Sequence, residues 1–283
     1  MGSSVWRPLR GIDPRRLSLV RSQAHQAVQW LARAARAYVP TRPDDSHTNL
    51  GWDDTLHGFT THLMSGGVCL SLKIADLTLV LHCDERTIQS FSLDGRTDAQ
   101  ARQWLGEQLG ARGLDARALD APSPYEMPTH AVTQGDAYRV ENVADALIEL
   151  AAWFANAEYL LVRVQRLMMR RKLTVSDVRC WPHHFDLATL ISFPTRGNDV
   201  TGYVGAGLSP GDEYYDEPYF YVSVYPNPDV AALPRVPKLG HWHTSEFTAA
   251  VAPAHQIVAA NHQENEINEF LWATVDVAIK ILS

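Results

Sequence analysis

Val68-Cys-Leu-Ser-Leu-Lys-Ile-Ala-Asp-Leu-Thr-Leu-Val-Leu-His-Cys83 settles the class of fold. Val68, Leu70, Leu72 and Ile74 alternate with Cys69, Ser71 and Lys73, and a second alternation runs through Leu77, Leu79, Leu81 and Cys83. Successive strand residues point to opposite sides, so a period of two marks a half-buried strand. With Ala75-Asp76 between them, the two runs predict an antiparallel hairpin. Residues 55–64 and 87–93 flank it, which extends the prediction to an antiparallel meander closed by Asp94-Gly95.

Upstream of the meander, Asp13-Pro14 reads as a helix start, because Asp caps free N–H groups and Pro at the first position loses no hydrogen bond. That helix runs to about Tyr38, with Leu19, Ala24, Val28, Leu31, Ala35 and Tyr38 near one face. Residues 1–45 are thus an N-terminal helix and its connection. Downstream, Thr97 caps a helix whose buried face is Ala101, Trp104, Leu105 and Leu109. Residues 115–135, rich in Pro and Ala, predict a loop with one short strand.

The longest regular pattern is Val143, Leu147, Leu150, Phe154, Ala157, Leu161, Val164 and Met168. This spacing of four and three predicts a helix of about 30 residues, roughly 45 Å long, with one apolar seam. Its basic end, residues 166–172, complements the negative end of the helix dipole. A second strand region follows, over residues 181–225 and then 241–251. Pro253 restarts a helix to about Ala260, and a last helix from Glu264 to Leu282 buries Ile267, Phe270, Leu271, Val275, Ala278 and Ile279. The expected fold is α+β: antiparallel sheet packed by the long central helix and by the N- and C-terminal helices, in a single domain over residues 1–283. Helix, strands, helix occurs twice in order, but the halves share no motif that aligns, so the parallel is architectural.

The chain has 283 residues, 25 of them Lys or Arg against 32 Asp or Glu, for a formal net charge of -7. That balance argues against general nucleic-acid affinity, which needs a basic surface. Cys69, Cys83 and Cys180 are an odd number without C-x-x-C spacing, which predicts reduced thiols rather than a disulfide framework or a thiolate zinc site. The first eight residues, Met1 to Pro8, lack the apolar core of a signal peptide, and no apolar run approaches the roughly 20 residues of a membrane span. The expected location is the cytoplasm.

Residues 181–225 hold the densest chemistry. They contain Trp181-Pro-His-His-Phe-Asp186, then Gly205-Ala-Gly-Leu-Ser-Pro-Gly-Asp212, then Pro218-Tyr-Phe-Tyr-Val-Ser-Val-Tyr225. Strand counting from His183 to Phe193 puts Phe185, Leu187, Ile191 and Phe193 on one side and His184, Asp186 and Ala188 on the other. From Tyr219 to Tyr225 it puts Phe220, Val222 and Val224 on one face and Tyr219, Tyr221, Ser223 and Tyr225 on the other. Gly202-Tyr-Val-Gly205-Ala-Gly207 lacks the Gly-Lys-Ser/Thr ending of a phosphate loop and is read as a turn. Pro210-Gly211 fits the middle of a type II turn.

The Trp181 box, Ser209-Pro-Gly-Asp212 with Pro218-Tyr-Phe-Tyr-Val222, and the downstream His243 with Phe247 resemble those of a large uncharacterised bacterial family, a domain of unknown function. The resemblance runs from about Trp52 to the C-terminus. It implies one integrated domain over residues 52–283 and supplies no activity.

Three readings follow. In the preferred one, Trp181, His184, Asp186, Asp212, Tyr219, Tyr221, Tyr225 and His243 line a pocket for a small polar or aromatic ligand. In the second, His241-x-His243 on a strand joins His184 and Asp186 around a divalent metal such as Zn or Mn, in a hydrolase-type enzyme. In the third, the same groups are buried hydrogen-bonding residues of a structural or partner-binding protein.

Overall fold

The computed structural model describes residues 5–9, 12–13, 16–83, 86–194, 201–236 and 239–282. Pro14, half of the expected helix start, lies outside them. The chain divides into two compact units, one of residues 19–151 and 180–185, the other of residues 1–18, 152–179 and 186–283. We call them the meander unit and the long-sheet unit. Each contains one antiparallel sheet.

In the meander unit, strands β1 (Gly51–Asp53), β2 (Gly58–Thr60), β3 (Cys69–Lys73), β4 (Thr78–Cys83) and β5 (Arg86–Ser92) pair in chain order. The hairpin expected from the alternation is present, but its turn is longer: Lys73 pairs with Thr78, and residues 74–77 make the reversal. Asp76 accepts from the Thr78 amide at 3.1 Å. Leu70, Leu72, Leu79 and Leu81 are fully buried together with Phe59. Helix α2 (Asp98–Gly110) begins at a capping box in which Thr97 and Gln100 satisfy one another's backbone amides. The expected short strand within residues 115–135 is replaced by two single 3-10 turns, Ala116–Asp120 and Ala131–Gln134.

Helix α1 (Arg16–Tyr38) buries Ala24, Val28, Leu31, Ala35 and Tyr38 as its period predicts. Leu19 departs from the expectation and is 77% exposed. Gln23, Gln26 and Gln29, three apart, are buried instead. Their amides serve irregular backbone that has no ladder partner. Gln23 both donates to the Arg139 carbonyl at 3.0 Å and accepts from its amide at 2.8 Å. Gln26 donates to Pro128, and Gln29 to Pro182.

In the long-sheet unit, β6 (Thr174–Val175) comes first, β7 (Arg179–Trp181) passes after its first residue into the meander unit, and the main strands are β8 (Asp186–Pro194), β9 (Thr201–Ser209), β10 (Tyr219–Tyr225), β11 (His241–His243) and β12 (Ala249–Pro253). Their order is β11-β12-β10-β9-β8-β6. Two expectations fail here. Residues 241–251 are a hairpin of two strands rather than one. The glycine-rich segment read as a turn is β9, a central strand paired on both sides. The turn begins only at Pro210-Gly211, where Gly211 takes the positive φ of 107° expected of it.

One face of this sheet is apolar: Leu187 and Ile191, Val204, Ala206 and Leu208, Phe220, Val222 and Val224, and Ala250 and Ala252 are all buried. Helix α5 (Gln263–Leu282) lies across β9, β10 and β12, after a short α4 (Ala254–Val258). Helix α3 (Ala144–Arg170), the predicted long helix at 27 residues, brings Trp153 within 6.4 Å of Phe220. Asn156 and Gln263 each bond the amide and the carbonyl of one arm residue, Arg7 and Leu9.

Replacing Gln23 by Ala strips both backbone groups of Arg139 of their partner, a loss of about 2 kcal/mol. Leu19→Ala removes an exposed side chain and should stay within about 0.5 kcal/mol. Urea denaturation of the two variants measures the contrast.

Candidate functional site

The second face of the long sheet carries polar groups at the positions where the first carries its core. Tyr221 pairs with Gly207, and Gly207 pairs with Ala188. A Cβ on Gly207 would lie 2.6 Å from the Tyr221 ring carbon and hydroxyl. The missing side chain is what lets the Tyr221 ring cross β9. Its phenol reaches the next strand and donates to Oδ2 of Asp186 at 2.5 Å. Burial and the facing carboxylate push the Tyr221 phenol well above the usual tyrosine range, so it stays a protonated donor. Gly205 plays the same part for Ser223, whose Oγ sits 2.7 Å from where a Cβ would be.

Tyr219, two residues along, is buried and donates to Oδ2 of Asp212. Burial first and that carboxylate second raise its phenol as well. Asp212 also organises the turn that carries it. Its Oδ1 accepts from the amides of Tyr214 and Tyr215 at 2.9 and 3.0 Å, and Ser209 Oγ accepts from the Gly211 amide at 3.2 Å. This turn presents Tyr215, whose hydroxyl lies 2.9 Å from Nε2 of His241 and 3.0 Å from Nδ1 of His243. His243 stacks on Phe247 at 4.2 Å, with Tyr214 edge-on to both rings. Tyr214 in turn donates to Glu246 at 2.7 Å, and that bond pushes its phenol up to about 12.

The structure thus brings Asp186, Asp212, Tyr219, Tyr221 and His243 onto one face, where Tyr221 bonds Asp186 and Tyr215 links Asp212 to His243. Tyr215 was not among the expected residues, since it lies in the turn between strands. Tyr225 is on the same face at the far end of β10, 54% exposed and 6.2 Å from Tyr203.

A match over residues 15–282 is found to the model of a family described only as a family of unknown function, DUF5996. The chain belongs to that family. No curated protein and no solved structure matches it. Among the described residues, no helix is long and apolar enough to cross a membrane.

The remaining expected residues of this DUF5996 chain, Trp181 and His184, lie in the meander unit. Residues 182–185 form a turn, with Phe185 at φ 60°, so the alternation counted from His183 begins only at Asp186. The turn is held through the Pro182 carbonyl, which accepts from Nε2 of His25 and from Gln29, each at 2.8 Å. Tyr125 donates to Gln29 at 2.8 Å and lies 5.5 Å from His183, which itself packs on His184 and Trp181.

The four-ligand metal set does not assemble as expected. Strands β12, β10 and β9 separate β11 from β8, so His241 and His243 stand roughly 19 Å from the strand of Asp186 at ~4.8 Å per strand. Among the described residues, no group of three His, Cys, Asp or Glu could hold a metal ion. None of the three cysteines is in a disulfide.

Gly207→Ala forces the Tyr221 ring off Asp186 and should cost about 2–4 kcal/mol in chemical denaturation, while Ala188→Gly on the neighbouring strand costs about 1 kcal/mol. A second test concerns His25, whose ring stacks on Phe185 at 5.1 Å. Burial, opposed by the Pro182 bond and assisted by Arg21, His184 and His183, lowers its pKa from 6.5 to about 4. An unfolded histidine therefore takes a proton that the folded one refuses, and stability falls as pH drops from about 6.5 to about 4, by up to about 3 kcal/mol. Denaturation at stepped pH should show that slope in the wild type and a flatter one in His25→Gln.

Proposed function

We propose that this protein binds a small polar ligand on the second face of the long sheet. The observation that supports the reading is the division of labour between the two faces. One takes the apolar core of the unit, and the other keeps two hydrogen-bonded groups, Asp186 with Tyr221, and Asp212 with Tyr219, Tyr215, His241 and His243. Such convergent polar groups beside aromatic rings are what a ligand site uses to fix orientation. Asp186 and Tyr221 are the polar end of this site, and Tyr214, Tyr215 and Phe247 are its aromatic wall. Trp181, His184 and Tyr225 are not required by it. Residues 202–234 contain five acidic residues and no Lys or Arg, so the ligand is an uncharged or amine-bearing molecule rather than an anion.

A structural role is favoured by one observation: both oxygens of Asp212 are engaged by its own turn and by Tyr219. The two readings differ in what Tyr219→Phe and Tyr221→Phe do. Saturation-transfer NMR with tyramine, methyl glucoside and benzoate as amine, polyol and anion probes should detect the first or second. Binding should weaken at least ~10-fold in the phenylalanine variants, with the fold intact. No saturable binding of any probe, or variants that unfold, would leave the structural role in its place.

A further inference from the structure

Tyr215 offers one hydroxyl to two imidazoles, and counting hydrogens decides how it is shared. The Ser245 carbonyl can only accept, so His243 carries a hydrogen on Nε2, 2.6 Å away. In neutral His243 the Nδ1 is then an acceptor, and the Tyr215 phenol donates to it across 3.0 Å. The phenol has no second hydrogen, so its oxygen accepts from Nε2 of His241 at 2.9 Å. Neutral His241 is thereby held with its hydrogen on Nε2 and a bare Nδ1. His241 is exposed, and among the described residues nothing bonds that Nδ1.

We propose that Tyr215, His241 and His243 form a proton relay whose outer terminus, Nδ1 of His241, exchanges a proton with a hydroxyl- or amine-bearing ligand. A proton taken by Nδ1 makes a His241 imidazolium whose Nε2 hydrogen already points at the phenol. That hydrogen passes to the Tyr215 oxygen as the phenol's own hydrogen moves to Nδ1 of His243. His241 is left neutral with its hydrogen on Nδ1, the phenol is intact, and the positive charge rests on His243. No heavy atom has to move. The reverse passage returns the proton to the ligand. The two imidazoles resist being charged together, because the phenol hydrogen would then face two N–H donors and no acceptor.

The groups around the relay are compatible with this traffic. On the turn, Asp212 faces Tyr215 through backbone amides, and burial followed by that carboxylate raises the Tyr215 phenol, so it shuttles a hydrogen without becoming a phenolate. Tyr214, engaged by Glu246, lies 5.5 Å from His243. Helix α4 contributes His255, which is paired with Glu217 at 2.6 Å. The neighbouring strand β12 offers only Ala249 and Val251. Burial, then His243 and His255, lower His241, which keeps it a neutral base near neutral pH.

Use of the relay in acid–base chemistry rests on the ligand reading above, whereas the relay itself does not and is measured on the full chain without ligand. Long-range proton–nitrogen NMR of protein with ¹⁵N-labelled histidine reports which ring nitrogen carries hydrogen. Near neutral pH, His241 and His243 should both carry it on Nε2. On acidification the two rings should titrate in two coupled steps, each ring sensing both. In Tyr215→Phe only the through-space repulsion of His243 on His241 remains, so the two steps should draw together. His241→Gln keeps an N–H donor to the phenol, and in it His243 should still carry its hydrogen on Nε2 near neutral pH, a readout that holds even if the phenylalanine variant does not fold. Hydrogen on Nδ1 of His241 in the wild type, hydrogen on Nδ1 of His243 in His241→Gln, or a separation between the steps that Tyr215→Phe leaves unchanged, overturns the relay. A relay that passes while no probe binds condemns the ligand reading alone, and binding without coupled titration condemns the relay alone.

Discussion

The ring of Tyr221 occupies the place where residue 207 would carry a side chain, and the second face of the long sheet depends on that contact. A phenol on β10 and a carboxylate on β8 are separated by a whole strand, too far for direct pairing across any ordinary residue. Glycine at 207 removes the obstacle, and the Tyr221–Asp186 bond then ties three strands together from above. The tie is also electrostatic. A carboxylate in a half-buried position needs donors, and a phenol held far from ionisation is a dependable one. The usual cost of glycine in a strand is offset here by a hydrogen bond that no other residue at that position would allow.

A second constraint recurs in both units. Irregular backbone has no ladder to satisfy its N–H and C=O groups, and buried backbone must be satisfied. This chain answers with side-chain amides that imitate a strand partner. Gln23 pairs with Arg139, Asn156 with Arg7 and Gln263 with Leu9, each through one donor and one acceptor on the same residue. Gln29 and His25 do related work at the Pro182 turn. Pro and loop residues at these points lack regular partners, so the amide side chains, rather than secondary structure, hold the connections.

The face that carries Asp186, Asp212 and the tyrosines combines acidity with neutral hydrogen donors. The Tyr219 and Tyr221 phenols are raised and the imidazole of His241 is lowered, all mainly by burial. Burial acts against charge in each case, so the phenols and that imidazole remain neutral while Asp212 sits among its donors. That combination suits recognition of hydroxyl and amine groups, and through Tyr215 it places two imidazoles in one hydrogen-bonded chain.

Periodicity by itself determined the elements whose side chains alternate between water and core. The β3–β4 hairpin, the seam of α3, the helix cap at Thr97 and the faces of β10 were all legible, because each is a local pattern with a local cause. It was also enough to find Asp186, Tyr219, Tyr221 and His243 as unusual. It misled where partners were distant. Gly205 and Gly207 read as a turn, because their reason for being glycine lies in Tyr221 and Ser223 on another strand. Leu19 read as core, because the face of α1 that is buried was chosen by segments needing amides from Gln23, Gln26 and Gln29. The joining of Asp186 to Tyr221, and the parting of both from the His241–His243 pair, follow from strand order. Only the tertiary structure decides that order, since many pairings bury the same apolar stripes and sequence spacing does not distinguish them.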